Sequence, residues 1–308
     1  MPRSLRSLRV RASLAVPLAL AAGVGGPRRA DTAPLTPREK AALLVVSGLP
    51  APADVGGVLV RRGTLDMARP PGALVFVDQE GGAVRAFTDM PPTLAAGEMA
   101  SPAEAFAQGR LTGQALRDNG VHVDLAPVLD APDGPLGSRH FRRASIGVAF
   151  ARGLRAGGAG ACAKHFPGLG STSVTTDSRR PVRGIVRCWE LASFEAAIDV
   201  GVPCVMVNHA IYPRLGSRPA SLEPRTYALL RQTGFDGVAI TDSLDVVSKV
   251  GVPRWARLAV RAGADLVLLP EPGDAERAIR ALVPLARAGV LDDHVARVLR
   301  FRRSLGLE

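Results

Sequence analysis

The sequence alternates short runs of Val, Leu and other apolar residues with longer segments whose apolar residues recur at helical spacing. Each short run is followed by polar residues, a pattern typical of β-strands that lead into α-helices. The alternation predicts a parallel sheet with helices packed against it. Seven strands are predicted, over residues 57–60, 73–78, 121–128, 160–165, 204–209, 237–242 and 265–269.

The predicted helices lie between these strands. They cover residues 37–46, 102–119, 190–200, 224–232, 253–262, 275–288 and 292–305. The helix over 102–119 has the clearest boundaries, because Ser101 can accept from the first free backbone N–H groups and Pro102 suits the first turn. Glu104 is expected to complete a capping box, and Gly120 to end the helix. The pattern does not identify the eighth strand that a closed barrel needs.

Polar side chains gather where the predicted strands end. They are Asp78, Glu80, Asp130, Lys164, His165, Asn208, His209 and Asp242. In a parallel barrel the active-site residues project from the carboxyl ends of many strands, whereas an open doubly wound sheet binds its ligand at one switch point. The sequence therefore predicts the α/β class and a single (β/α)8 barrel, for which 308 residues are sufficient.

Residues 1–30 have the features of a signal peptide. A basic segment through Arg11 precedes an apolar run over residues 12–24, and small residues near Ala30 offer a cleavage point. The apolar run is too short to span a bilayer, so stable membrane insertion is not expected. We therefore expect residues 31–308 to form the barrel domain and the mature protein to be secreted.

The formal net charge of +11 raises the question of a nucleic-acid partner. Residues 1–30 contain six arginines and no acidic residue, so the chain from residue 31 carries 11 − 6 = +5. The remaining basic residues form no sustained block and lack the interleaved aromatic residues on which nucleobases stack. Nucleic acid is therefore not expected as a partner, and the oligomeric state is left open.

The three cysteines are Cys162, Cys188 and Cys204. They are odd in number and far apart, so they define neither a zinc-binding spacing nor a disulfide framework. Cys162 and Cys204 lie in apolar, strand-like runs and are expected to be small core residues. The sequence implies no metal ion and no cofactor.

Six short motifs occur along the chain: DQEGG at 78–82, VDLAPVLD at 123–130, KHFPGLG at 164–170, NHAIYP at 208–213, PASL at 219–222 and GFDGVAITDSL at 234–244. In this order they resemble the barrel domain of glycoside hydrolase family 3, especially its β-N-acetylhexosaminidases, over roughly residues 37–305. Each motif alone is weak, but six in one order are specific. The resemblance implies a carbohydrate substrate and a retaining glycoside hydrolase acting on terminal β-linked N-acetylglucosamine, or on a related β-glycoside such as one derived from a cell wall.

The resemblance assigns the catalytic nucleophile to Asp242, within the segment ITDSL. A carboxylate held at a strand end can attack the anomeric carbon of a sugar and form a covalent intermediate. An aspartate at a strand-to-helix turn can instead simply cap the next helix. The flanking motif favours the nucleophile.

The resemblance also implies sugar-binding roles for five residues. Lys164 and His165 match a pair that hydrogen-bonds sugar hydroxyls, and Asp78 matches a sugar-binding aspartate. Arg139 matches a family arginine, although a loop arginine in so Arg-rich a chain is also typical of a solvated surface. His209 lies in a segment that supports the pocket floor, and it is included among the substrate-binding residues.

The main departure from the family concerns protonation of the leaving group. Family members that act on N-acetylglucosaminides use a histidine for this step, and the matching position here is Arg179, with Leu169 in place of a second histidine. Arginine cannot act as a general acid at neutral pH because its pKa stays above about 12. Asp177, in a loop rich in Ser and Thr, is the candidate replacement, since a carboxylic acid with a raised pKa is a common glycosidase solution.

Two alternatives stay open at this stage. One is a catalytically weak or silent sugar-binding barrel, in which the pocket is kept and proton transfer is lost. The other is a different class of enzyme, an aldolase-like barrel with Lys164 as a Schiff-base lysine. This second alternative leaves the other five motifs unexplained.

Overall fold

The computed structural model describes residues 35–178, 181–247 and 251–307. Within these ranges eight parallel strands form one sheet. They are β1 (Val45–Gly48), β2 (Gly57–Val60), β3 (Leu74–Val77), β4 (Val123–Asp124), β5 (Gly160–Phe166), β6 (Cys204–Val207), β7 (Val238–Thr241) and β8 (Val267–Leu269). Their order in the sheet is β8-β1-β2-β3-β4-β5-β6-β7.

The sheet closes on itself between β7 and β8. Ile240 forms a parallel bridge with Leu266, and the Thr241 N–H donates to the Leu266 carbonyl at 3.1 Å. Closure removes the exposed edges that an open sheet would have. The prediction of a single (β/α)8 barrel of the α/β class is therefore confirmed.

Nine α-helices flank the strands in the described ranges. They are α1 (Pro37–Leu43), α2 (Pro102–Asp118), α3 (Ala144–Ala156), α4 (Cys188–Asp199), α5 (Pro224–Gln232), α6 (Leu244–Val247), α7 (Val252–Ala262), α8 (Asp274–Arg287) and α9 (Asp292–Ser304). A short antiparallel hairpin, Gln79–Gly81 with Val84–Arg85, follows β3. Six of the seven predicted helices agree with these bounds to within two residues at each end.

The eighth strand, which the pattern did not identify, is β1. The helix predicted over residues 37–46 was too long, because α1 ends at Leu43 and the chain turns directly into the strand. Val45 pairs with Val267 of β8, and Val46 pairs with Gly57 of β2. The apolar residues of this fully buried, four-residue strand continue the apolar pattern of the helix without a break. Periodicity therefore could not separate the two elements.

Helix α3 was not predicted. It contains Gly147 and Gly153, and glycine lowers helix stability by about 1 kcal/mol relative to alanine. The helix packs closely on α2: a Cβ atom on Gly153 would collide with the Phe106 carbonyl, and one on Gly109 with the Phe150 carbonyl. These glycines serve a close helix–helix approach, which a search for helical propensity cannot recognise.

The predicted start and end of α2 are confirmed, with one difference in its cap. The Ser101 hydroxyl accepts from the Glu104 N–H at 3.2 Å. The Glu104 carboxylate, however, accepts from the Ala100 N–H at 2.7 Å and does not complete a capping box with Ser101. Gly120 follows the helix with φ +66°, a left-handed conformation that favours glycine.

Buried side chains form two layers, one inside the barrel and one between the barrel and the helices. The inner layer includes Val46, Leu59, Phe76, Leu125, Met206, Ile240 and Leu268. Cys162 and Cys204 belong to this layer, as expected of small core residues, but their sulfur atoms are also joined as a disulfide between β5 and β6, which the spacing did not predict. Since the interior is filled, a ligand site belongs at a mouth of the barrel.

Two further predictions concern the membrane and the N-terminus. None of the helices in the described ranges has the length and apolar character needed to cross a bilayer. The predicted signal peptide, residues 1–30, lies outside the described residues and stays a prediction.

Candidate active site

The carboxyl ends of the strands meet at one mouth of the barrel, where the structure has a cavity of about 220 Å³. Parallel strands bring distant residues together here: Asp78 and Lys164 are 86 positions apart in sequence and make contact at 2.6 Å. Six of the seven predicted site residues line the cavity, namely Asp78, Arg139, Lys164, His165, Asp177 and Asp242. The seventh, His209, is not among the lining residues.

Lys164 lies at the centre of an ion-pair network on one side of the cavity. Its ammonium donates to Asp78 Oδ1 and contacts Glu80 Oε1, each at 2.6 Å. Arg139 reaches the same Glu80 with two bonds of 2.8 Å, from Nε to Oε2 and from Nη2 to Oε1. Two cations thus share two carboxylates, and the charge of the buried ammonium is compensated.

The network fixes the charge state of its members. Burial favours a neutral amine, but Asp78 and Glu80 outweigh it and raise the pKa of Lys164 above its ordinary value. Burial also disfavours an ionised Glu80, yet Lys164 and Arg139 hold its pKa at about 2. A Schiff-base lysine must be neutral to attack, so the aldolase-like alternative does not fit this site. A charged ammonium with three donors, two of them used here, can still donate to a ligand hydroxyl.

Asp130 orients His165. Its Oδ2 atom accepts from the His165 backbone N–H at 3.0 Å and lies 2.7 Å from Nδ1 of the ring. Its Oδ1 atom accepts from the Leu169 N–H at 2.7 Å. Because a carboxylate oxygen only accepts, Nδ1 carries the hydrogen, and Nε2 is the ring nitrogen that can meet a ligand in the cavity.

Asp242 directly follows β7. Its N–H donates to the Val207 carbonyl at 2.9 Å, and its Oδ1 atom accepts from the Ser243 N–H at 2.7 Å. Burial disfavours the ionised form, but His209, His165 and this N–H together lower the pKa of Asp242. The cavity therefore contains an ionised carboxylate at the end of β7.

Asp177 lies on a single 3₁₀ turn, Thr176–Ser178, in the loop after β5. Its side chain is exposed, yet it lines the same cavity as Asp242. Partial burial and the negative charge of Asp242 raise the pKa of Asp177. Two carboxyl groups whose pKa values are pushed in opposite directions can serve as a proton donor and an anionic partner.

His209 is held by hydrogen bonds to the segment that follows Asp242 and is not among the lining residues of the cavity. Its Nε2 atom is 2.9 Å from the Ser243 carbonyl, and its Nδ1 atom is 2.7 Å from the Ser221 hydroxyl. Because a carbonyl only accepts, Nε2 carries a hydrogen, and Nδ1 shares a hydrogen bond with the Ser221 hydroxyl. Both nitrogens are used within the protein. These bonds support the segment that carries Asp242, and the substrate contact predicted for His209 stays a prediction.

A neutral acid, Asp124, lies next to the ion-pair network. Its Oδ1 atom accepts from the Gln79 N–H at 3.0 Å, and the side chain is fully buried at the end of β4. Burial raises the pKa of Asp124 to about 8, so the carboxyl is mostly protonated at pH 7. Asp124 therefore adds little negative charge to the network at neutral pH.

Two buried carboxylates that sequence reasoning left without a role, Glu80 and Asp130, hold the lining residues in place. Both were noticed as polar residues at strand ends, which is the signal that could have identified them. Their partners could not be deduced in the same way, because Glu80 and Arg139 are separated by 59 residues and meet only in the folded barrel.

A comparison with known proteins identifies the family of this chain. Residues 62–301, well over half of the chain, match the family model described as the glycosyl hydrolase family 3 N terminal domain. The chain belongs to glycosyl hydrolase family 3. The resemblance inferred from the six motifs is confirmed.

Relatives of this family 3 chain are about one third identical to it over the aligned segments. A protein from Stenotrophomonas maltophilia named beta-hexosaminidase is 33% identical over 241 residues, which cover 70% of this chain and 72% of that protein. A beta-hexosaminidase from Neisseria meningitidis is 32% identical over 287 residues, covering 79% of this chain and 78% of that protein.

Solved structures of the family show the same barrel. A family 3 β-N-acetylglucosaminidase from a Paenibacillus species matches with a TM-score of 0.80 and 28% identity, covering 88% of this chain and 63% of that one. A β-N-acetylhexosaminidase from Beutenbergia cavernae matches with a TM-score of 0.74 and 29% identity, covering 86% and 98%. This chain therefore spans less than two thirds of the Paenibacillus protein and nearly all of the Beutenbergia protein.

This family 3 chain departs from the expected motif at two positions, of which the structure describes one. Leu169, in place of a histidine, is buried and lines the cavity with an apolar side chain. Arg179, at the position of the family's leaving-group histidine, lies outside the described residues. The loss of the usual general acid at this position stays a prediction.

Proposed function

We propose that this family 3 chain is a retaining glycoside hydrolase that releases terminal β-linked N-acetylglucosamine, or a related β-glycoside, through a covalent intermediate on Asp242. One observation carries this assignment: Asp242 and Asp177 line one cavity and their pKa values shift in opposite directions. Relatives named beta-hexosaminidase support the choice of sugar.

The sugar is held by the polar groups on one side of the cavity. Asp78 and its partner Lys164 offer an acceptor and a donor to adjacent hydroxyls, and Arg139 and His165 offer further nitrogen atoms. Because Glu80 and Asp130 already fix these side chains, little conformational entropy is lost when the sugar binds. The anomeric carbon then faces Asp242.

In the first step an Asp242 carboxylate oxygen attacks the anomeric carbon as the glycosidic C–O bond breaks. Asp177 donates its proton to the departing oxygen, so the aglycone leaves as a neutral alcohol and Asp177 becomes a carboxylate. The raised pKa of Asp177 favours the protonated form that this step requires. The result is a covalent glycosyl ester on Asp242.

In the second step Asp177 acts as a base. It removes a proton from a water molecule, which attacks the anomeric carbon and releases Asp242 as a carboxylate. Two inversions restore the original β configuration. Retaining enzymes require the two carboxyl groups about 5–5.5 Å apart. The loop position of Asp177 allows this spacing to be reached once the sugar is bound.

The assignment is tested with an aryl N-acetyl-β-glucosaminide that has a good leaving group. We expect the wild-type protein to hydrolyse it and Asp242→Asn to abolish turnover, because covalent capture is lost whatever the leaving group. The free sugar should be released first as the β anomer, which NMR detects. Release of the α anomer would contradict a retaining mechanism.

A catalytically weak or silent sugar-binding barrel is the alternative that Arg179 favours, since this position cannot supply a proton. Loss of a general acid typically removes about 10²–10⁴ in rate, and less for activated leaving groups. Binding of N-acetylglucosamine without hydrolysis of any activated aryl glycoside would replace the enzyme assignment with this one.

We further propose that the protein is exported and acts outside the cell, with residues 31–308 as the mature chain. The Arg-rich start and the short apolar run over residues 12–24 support export. N-terminal sequencing of secreted material should begin near residue 31. Finding the protein in the soluble cytoplasmic fraction with Met1 retained would refute the proposal of export.

A further inference from the structure

Glu190 is a fully buried carboxyl group on the first turn of α4, and the mechanism proposed above does not use it. Its Oε1 atom accepts from the Gly170 N–H at 2.8 Å and from the Ala131 N–H at 3.3 Å. These two residues belong to loops that follow neighbouring strands, β5 and β4. One carboxyl oxygen thus joins two loops at the barrel mouth.

The turn over residues 165–170 lies directly against this carboxyl. A Cβ atom on Gly168 or on Gly170 would lie 2.6 Å from Glu190 Oε1, so both positions have room only for glycine. Gly168 also has φ +119°, a conformation that L side chains rarely adopt. The glycines of the KHFPGLG motif therefore allow the backbone to reach Glu190.

The Gly170–Glu190 contact lies next to the base of the loop that carries Asp177. Gly170 is followed by Ser171, whose hydroxyl accepts from the Ile185 N–H at 2.7 Å and lies 3.0 Å from the Ile185 carbonyl. Ser171 and Ile185 thus meet at the base of the loop that carries Asp177, and this base is connected to Glu190 through Gly170. In contrast, the sugar-binding groups Asp78 and Lys164 are held by the separate ion-pair network.

We propose that Glu190 is a positioning residue that holds Asp177 over the cavity by anchoring Gly170 and Ala131. This inference rests on the proposed function, in which Asp177 protonates the leaving group. It predicts that loss of the Glu190 acceptor impairs proton donation while leaving the sugar contacts of Asp78 and Lys164 intact. Burial raises the pKa of Glu190, which is consistent with a carboxyl group that acts as an acceptor and needs no charge.

The test compares Glu190→Ala with Glu190→Gln, which keeps an acceptor oxygen, and with Glu195→Ala, an exposed glutamate on the same helix. We expect Glu190→Ala to lower kcat/KM for an alkyl N-acetyl-β-glucosaminide about 10-fold more than for an activated aryl one, because only the poor leaving group needs the proton. The inhibition constant of free N-acetylglucosamine should stay within about 2-fold of wild type, and Glu190→Gln should restore the alkyl rate. Glu195→Ala should match wild type throughout.

A double variant identifies the group through which Glu190 acts. If Glu190 acts through Asp177, then adding Glu190→Ala to Asp177→Asn should cause no further loss on the alkyl substrate. Equal losses on the aryl and alkyl substrates, or full additivity in the double variant, would overturn the inference. If Glu190→Ala does not fold, Glu190→Met, which keeps the length of the side chain but offers no carboxyl acceptor, should give the same preference for aryl leaving groups.

Hydrogen exchange separates failure of this inference from failure of the proposed function. We expect the amides of residues 171–178 to exchange about 10-fold faster in Glu190→Ala than in wild type, with residues 74–77 of β3 unchanged. A wild-type protein that hydrolyses no glycoside would refute the function, whereas unchanged exchange in residues 171–178 would refute the anchoring role of Glu190.

Discussion

Glu80→Gln is expected to destabilise the protein by an amount that the structure allows to be calculated. The Glu80 side chain is 3% exposed and contacts both Lys164 and Arg139. The ordinary pKa of 4.5 is lowered to about 2 in the folded state. At about 1.4 kcal/mol per unit, the ionised carboxylate contributes about 3 kcal/mol to the free energy of unfolding at pH 7.

The dependence of this effect on pH has a definite sign. A carboxyl group whose pKa is lowered by folding stabilises the protein above its unfolded pKa of 4.5, and the contribution is lost as the pH falls toward 2. We expect the difference in unfolding free energy between wild type and Glu80→Gln to be about 3 kcal/mol at pH 7 and about half of that at pH 3. Urea denaturation at both pH values measures it.

Asp124→Asn is the matched control, because Asp124 is an equally buried carboxyl beside the same network but has the opposite pKa shift. Its pKa rises from 3.8 to about 8, so the folded state binds more protons than the unfolded state between these values. At pH 7 this costs up to about 4 kcal/mol, a cost that asparagine avoids. We therefore expect Asp124→Asn to stabilise the protein at pH 7. If both variants lost the same free energy of unfolding, and the loss did not depend on pH, the electrostatic reasoning would be refuted.

Three further predictions concern the catalytic groups and the opposite end of the barrel. Asp177→Asn should lower kcat/KM by about 10²-fold or more for alkyl glycosides and far less for activated aryl glycosides; equal losses would argue against a general acid. His209→Ala should lower kcat with little change in the affinity for N-acetylglucosamine, because His209 supports Ser243 and does not line the cavity; a change confined to KM would contradict this position. Asp265→Asn should destabilise the protein by about 3 kcal/mol without changing KM, since this buried carboxylate pairs with Arg297 and Arg231 away from the cavity. Thermal melts measure the loss of stability of Asp265→Asn, and Michaelis kinetics measure its KM. An unchanged melting temperature or a changed KM would contradict this prediction.

The barrel could be predicted because its signal is local. Each strand carries its own apolar run, and polar residues such as Lys164 mark the carboxyl ends without reference to the rest of the chain. Strand β1 escaped because it is only four residues long and its valines, Val45 and Val46, continue the apolar pattern of α1. Helix α3 escaped because Gly153 lowers helix propensity while permitting the contact with α2 that stabilises the helix.

The site was predicted less completely, because the positions of its side chains depend on contacts between residues that are distant in sequence. Motifs could indicate Asp78 and Arg139 as site residues, but only the fold shows that Glu80 joins Arg139 to Lys164. In the same way, the sequence places His209 within the NHAIYP motif, whereas only the fold shows its hydrogen bonds to Ser221 and Ser243, which use both ring nitrogens.

The covalent intermediate on Asp242 is the central claim, and mass spectrometry of the trapped enzyme tests it most directly. A fluorinated N-acetylglucosaminyl fluoride slows hydrolysis of the glycosyl ester more than its formation, so the intermediate accumulates. We expect the intact protein to gain the mass of one sugar, and peptide mapping to place that sugar on Asp242, with no gain in Asp242→Asn. A sugar attached to any other residue, or turnover of an aryl N-acetyl-β-glucosaminide by Asp242→Asn at the wild-type rate, would contradict the mechanism.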